Sequence, residues 1–178
     1  MKRLQRRIVI VGFMAAGKTS VARALARRLN CEMIDLDETV SEHEKRSIRD
    51  LITERGEEDF RQTETRVLRA LLEKNPARVI ATGGGTWTVE RNRDLIAEHD
   101  CLTLWLDAPF DLCWKRIERE QETRPLAPDR QATHRLYSAR RTLYELAALR
   151  VEVSEEKSAD ETAAELLKAM RRLRFVKG

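Results

Sequence analysis

Residues 12–20 read GFMAAGKTS and follow the apolar run IVIV at 8–11. Gly12 to Thr19 has the spacing G-x-x-x-x-G-K-T, which suits a loop whose backbone N–H groups wrap around phosphate oxygens at the start of a helix. No other stretch constrains the fold as tightly. It requires a buried strand before it, a helix after it and a ligand crevice at the strand's carboxyl end. Gly12, Ala15, Ala16, Gly17, Lys18, Thr19 and Ser20 are the expected nucleotide contacts. Lys18 would reach the β- and γ-phosphates, and the Thr19 hydroxyl would ligate Mg2+.

Apolar periodicity alternates strands with helices along the chain. Strands are expected at 7–11, 31–35, 78–82, 101–106 and 150–154, and helices at 18–29, 47–55, 57–74, 89–99, 109–120, 133–149 and 158–173. Ser47 with Asp50 and Ser158 with Glu161 have capping-box spacing, while Gly56 and Asn75-Pro76 read as helix stops. Strands joined by helical crossovers pair in parallel, so the expected fold is a three-layer α/β arrangement, an open five-stranded parallel sheet with helices on both faces. A chain of 178 residues supplies one full core, so 1–178 is read as a single domain. The stretch QETRPLAPDR (121–130) breaks the periodicity with two prolines and reads as a mobile surface loop.

Charge and cysteines narrow the class. The 34 basic residues, 26 of them Arg, face 30 acidic ones, for a net charge of +4 and a pI near 9.1. Acids interleave with bases in ETVSEHEKRSIRD and TERGEEDFRQTETR, which reads as solvated helix faces; no basic stripe or aromatic platform for nucleic acid is visible. No apolar run approaches the roughly 18 residues of a membrane span, and the basic start MKRLQRR lacks a cleavage site. Cys31, Cys101 and Cys113 form neither a metal pattern nor a disulfide framework, so a reducing cytoplasm is the expected compartment.

In a parallel α/β sheet the chemistry lies just after the strands. Asp35 and Asp37 follow the second strand, and their i, i+2 spacing aims both carboxylates one way if the strand persists. Beside a phosphate-bound Mg2+, one carboxylate can organise the metal and the other can accept a proton from an attacking hydroxyl. Gly83, Gly84 and Gly85 after the third strand let a ligand approach the backbone closely. Asp107 imitates a metal-binding acid, but Ala108-Pro109 starts a helix at once, so Asp107 reads as its N-cap.

The run DLDETVSEHEKRSIRDLITERGEEDFRQTET, followed downstream by GGG, RPL and an R-x-x-L-Y segment, resembles the shikimate kinases over roughly residues 7–150. The resemblance implies a P-loop kinase fold of the nucleoside-monophosphate-kinase type, with a substrate-binding region at about 37–70 and a mobile lid at about 119–131. It implies phosphorylation of the 3-hydroxyl of shikimate by ATP with Mg2+. By that likeness Asp37 orients or deprotonates the hydroxyl, Asp35 supports Mg2+, and Arg61 and Arg140 grip the substrate carboxylate. Gly83 to Gly85 give the substrate backbone contacts; Arg124 closes over the phosphates as a catalytic residue with Lys18, and Arg116 lies against adenine. The spacing to Leu143-Tyr144 selects Arg140 over Arg141.

Three positions depart from the family pattern: Ala15 for a common Gly, which gives up easy access to positive φ; Ala127 for a Leu after RPL; and the bulky Trp87, read as pointing outward. The competing readings are a kinase with another acceptor, such as gluconate, and a catalytically silent nucleotide-binding homologue. A monomer that engages neither nucleic acid nor membrane is expected.

Overall fold

Ile8–Val11 forms strand β1, whose four side chains have no exposed surface. It lies at the centre of a parallel sheet completed by β2 (Met33–Asp35), β3 (Val79–Ala81), β4 (Leu102–Asp107) and β5 (Leu149–Glu152), in the order β2-β3-β1-β4-β5. The computed structural model describes residues 6–120 and 125–176, the side chains of 174–176 excepted. Seven α-helices are found among them: α1 (Lys18–Leu29), α2 (Leu36–Glu44), α3 (Ile48–Lys74), α4 (Glu90–Glu98), α5 (Phe110–Arg119), α6 (Arg130–Tyr144) and α7 (Ala159–Val176). Helices cover both faces of the sheet, which is why β1, β3 and β4 are buried along their whole length without alternation.

The register brings the carboxyl ends of the strands into line. Ile10 pairs with Ala81, Ala81 with Asp35, and Val11 with Trp105, so β1, β2, β3 and β4 end at one rim. From β1 the chain crosses to one side of the sheet, and from β3 it crosses back over β1 to β4. Such a reversal opens a crevice above the central strand's carboxyl end.

The expected helix stop at Gly56 is present: its φ of 87° and ψ of 163° are not helical, and α3 is two helical segments meeting at that kink, the second running to Lys74. Two other local expectations change. Asp107 does not cap α5, whose N-cap is Pro109. Asp107 is the last residue of β4 and nearly buried; its carboxylate accepts from Arg141 at 2.5 and 2.8 Å and pairs with Arg150 at 2.6 Å. A buried charge needs such partners, and these tie α6 and β5 to the end of β4. Trp87 points inward, 5% exposed, with its indole N–H donating to the Leu143 carbonyl at 2.8 Å. Its bulk is spent on docking α6, whose buried Arg140 and Tyr144 face the site.

Candidate active site

The loop between β1 and α1 has the geometry its spacing implies. Gly17 at φ 95° is the N-cap of α1, and intrahelical bonding starts with Val21 N–H to the Gly17 carbonyl at 3.0 Å. No acidic side chain stands in the first turn and no side chain caps it, so the positive end of the helix dipole is left for an anion. The Lys18 ammonium, nearly buried, donates to the Phe13 carbonyl at 2.8 Å. Arg116, reaching from α5, donates to the Ala15 carbonyl at 2.9 Å.

Ala15 departs from its sequence expectation. It adopts the left-handed conformation at φ 58° that an alanine was expected to give up. For a residue with a Cβ this conformation costs on the order of 1 kcal/mol. Ala15→Gly should therefore leave the loop geometry intact and stabilise the protein by up to about 1 kcal/mol, offset in part by the looser unfolded chain, a rise of a few degrees at most in thermal midpoint. Thermal denaturation checks this; a lower midpoint would show that Ala15 is not strained.

Asp35 and Asp37 do not share a strand face. β2 ends at Asp35, and Asp37 belongs to the first turn of α2. Asp35 is the N-cap: its Oδ1 accepts from the N–H groups of Asp37 (2.9 Å) and Glu38 (3.4 Å), and its Oδ2 accepts from the Thr19 hydroxyl at 2.5 Å. The two acids thus differ in environment. Asp35 is fully engaged, whereas Asp37 Oδ1 is buried with no hydrogen-bond partner among the described residues. Burial first, then the nearby carboxylates of Glu64 and Asp35, push the Asp37 carboxyl up to about 6, with Lys18 and Arg61 opposing.

The three glycines form a wall where side chains cannot fit. A Cβ on Gly83 would stand 2.6 Å from Asp37 Oδ1, and one on Gly84 would stand 2.9 Å from the Met14 backbone N. The Arg61 guanidinium lies across Gly85 in the space a side chain would need. Arg61 NH1 donates to Glu64 Oε2 at 2.9 Å, and Glu64, with no exposed surface, accepts from the Thr86 hydroxyl at 2.7 Å. Arg140 is 7% exposed, and the one carboxylate within 4 Å of it among the described residues is Glu57, at 3.9 Å. Burial lowers its pKa, with Arg61 adding repulsion; the Tyr144 hydroxyl beside it donates to the Gly84 carbonyl.

Two clefts open on the rim. The larger, about 650 Å³, is lined by residues 14–21 together with Asp35, Arg116 and Lys157. The smaller, about 230 Å³, is lined by Ile48, Arg49, Phe60, Arg61, Gly83 to Gly85 and Arg140 among others. Met14, Asp37 and Gly84 belong to both. All the expected site residues except Gly12, which lies against the Leu106 carbonyl, and Arg124 border these clefts. Arg124 lies outside the described residues, although Pro125 and Leu126 after it line the smaller cleft. Glu64, Glu57 and Tyr144 escaped the sequence reading, which took the acids of 53–66 as a solvated face. Glu64 was detectable: with Phe60, Val67, Leu68 and Leu71 it falls on one apolar stripe of α3 at i, i+4, i+7, i+8 and i+11 spacing.

A phosphate loop at the switch point of a parallel sheet, opening through a shared carboxylate onto a small cationic pocket, defines a P-loop kinase. Comparison with known proteins places it further. The shikimate kinase family model matches residues 14–171. A shikimate kinase of Cereibacter sphaeroides is 42% identical over 87% of this chain and 78% of its own, and one of Ruegeria pomeroyi 40% identical over 94% and 86%. The solved shikimate kinase of Acinetobacter baumannii, in complex with shikimate, superposes with a TM-score of 0.87 at 31% identity, covering 95% of this chain and 94% of that one. The chain belongs to the shikimate kinase family.

Proposed function

We propose that the protein transfers the γ-phosphoryl group of ATP to the 3-hydroxyl of shikimate, giving shikimate 3-phosphate on the route to chorismate and the aromatic amino acids. The observation that carries this reading is Asp37 Oδ1, a buried acceptor without a donor, set where the two clefts meet. An acceptor hydroxyl supplies that donor. Its oxygen attacks the γ-phosphorus, the bond to the β–γ bridging oxygen breaks, the proton passes to Asp37, and ADP leaves. Lys18 and the first-turn amides of α1 neutralise charge on the phosphates.

Arg140 and Arg61 account for an acidic acceptor. A guanidinium held in a small pocket, with its nearest carboxylate at 3.9 Å, is suited to a ligand carboxylate that it meets with two parallel hydrogen bonds. A neutral polyol or a nucleotide acceptor would leave these arginines without a carboxylate to meet, and a silent nucleotide-binding role gives them no use; gluconate, itself a carboxylate, is separated from shikimate by the choice of acceptors in the assay. Thr19 and Asp35 fit a metal: hydroxyl and carboxylate are a 2.5 Å pair beside the phosphate loop, and no group of three acids, His or Cys competes among the described residues. Mg2+, which takes few protein ligands, would be held there and, bound, neutralise charge on the β- and γ-phosphate oxygens.

Arg124 and the lid at about 119–131 would exclude water as they close over the phosphates. Arg116, whose guanidinium donates to the Ala15 carbonyl of the loop, would lie against the nucleotide base. We read 1–178 as one domain acting as a cytoplasmic monomer; no helix among the described residues is long and apolar enough to cross a membrane. The test is ADP release coupled to Mg2+ and ATP with shikimate, gluconate and nucleoside monophosphates as acceptors. Stimulation by shikimate alone is expected, and its absence overturns the proposal.

A further inference from the structure

We infer that Glu57 is an exchangeable internal anion that holds the acceptor-binding arginines in the empty site and is displaced by the substrate carboxylate, so that it sets acceptor affinity. The inference rests on the shikimate kinase reading and concerns a residue that this reading does not use. Arg61 has all three of its guanidinium nitrogens engaged within the chain: NH1 with Glu64 at 2.9 Å, Nε and NH2 with Glu57 Oε1 at 3.4 and 3.2 Å. The same Glu57 Oε1 stands 3.9 Å from Arg140 NH2. One carboxylate oxygen therefore bridges the two cations expected to grip the substrate. The Nε/NH2 edge of Arg61, the edge that can meet an incoming carboxylate with two bonds, is already occupied.

The two acids on Arg61 are unlike. Glu64 has no exposed surface and a second bond from Thr86, so it anchors the guanidinium whether or not Glu57 is present. Glu57 has a side chain 46% exposed, and no other hydrogen bond to it is seen among the described residues. It can leave for water at little cost, as a buried partner could not. It also follows Gly56, the kink of α3, where nothing lies within 4 Å of the position a side chain would take, so the backbone there has room to adjust. Without Glu57 the two guanidiniums repel each other across a pocket of about 230 Å³, and with it that charge is partly balanced until the substrate brings its own. The exchange is one carboxylate for another, so net affinity reflects their difference.

Glu57→Gln removes the competing charge while keeping the side chain's shape. Calorimetric titration at low ionic strength should give a dissociation constant for shikimate about five-fold lower in this variant than in the wild type. The methyl ester of shikimate, which carries no carboxylate, should bind the two proteins alike, so the preference for acid over ester widens in the variant. A general loosening of the site would instead weaken both ligands together. Glu57→Asp, whose shorter side chain keeps the charge but loses the reach to Arg140, should shift acid binding in the same direction by a smaller factor. An unchanged or raised dissociation constant for shikimate in Glu57→Gln overturns the exchange while leaving the kinase assignment standing. Failure of the wild type to bind shikimate at all removes both.

Discussion

Asp37→Asn should lower turnover with shikimate by about 10²- to 10⁴-fold, the range for losing a positioned proton acceptor, while ADP affinity stays within about two-fold. The carboxyl titrates at about 6 because it is buried beside Glu64 and Asp35, so kcat/KM for shikimate in the wild type should fall as pH drops through about 6. That acid limb should vanish from the residual activity of the variant. Stability should move the other way. The folded pKa lies above the ordinary 3.8, so the proton that stabilises the native state is held at low pH and lost as pH rises through 6. At pH 7 the wild type therefore carries a buried charge that Lys18 and Arg61 compensate only in part, at a cost on the order of 3 kcal/mol, and the neutral Asn should raise the thermal midpoint by several degrees. Near-normal turnover, or loss of stability at neutral pH, would reduce Asp37 to a helix residue without a chemical role.

Arg140→Ala should raise the apparent KM for shikimate by about 100-fold, since two charge-assisted hydrogen bonds of roughly 1.5 kcal/mol each are lost. The fold should barely suffer. Arg140 is buried with its nearest acid at 3.9 Å, so its charge is paid for by ligand binding, and removing it relieves desolvation and repulsion from Arg61. Steady-state kinetics and thermal melting together decide the matter. A variant with a 100-fold KM defect and an unchanged or higher midpoint marks a binding residue, whereas parallel loss of affinity and stability marks a packing one.

The sequence made the donor half of this site legible and the acceptor half only partly so. The phosphate loop is contiguous, its chemistry is carried by backbone and two side chains, and it runs from a buried apolar strand into a helix, so spacing predicted its shape everywhere but at Ala15. Asp35 and Asp37 were visible as a pair, but their division of labour depends on where β2 stops, a boundary decided by the N-cap bonds from Asp35. Arg140 was separated from Arg141 by one position of spacing, and the structure separates them by partner: Arg140 lines the acceptor pocket while Arg141 is bound to Asp107. Glu57 and Glu64 were hidden by composition, because in a helix rich in both signs an acid on the buried stripe looks like an acid in water. Ala15 shows the opposite limit: the residue type argued against positive φ, and the surrounding loop, tied through its carbonyl to Arg116, imposed it.

Gly84 has a consequence for how such an enzyme can change. The partition between its two clefts is main chain against main chain, since a Cβ on Gly84 would stand 2.9 Å from the Met14 amide nitrogen. At that contact mutation has no side chain to vary, and the Asp37 carboxylate that both clefts share is constrained by its own burial. The spacing of the two clefts is then set by the backbone, and a new acceptor would have to be selected from the opposite side, by the residues that α3 and α6 send into the small pocket. Drift in this lineage should therefore concentrate on Ile48, Arg49 and Ile52, where preference for one ring over another can be altered without moving the phosphoryl group's path.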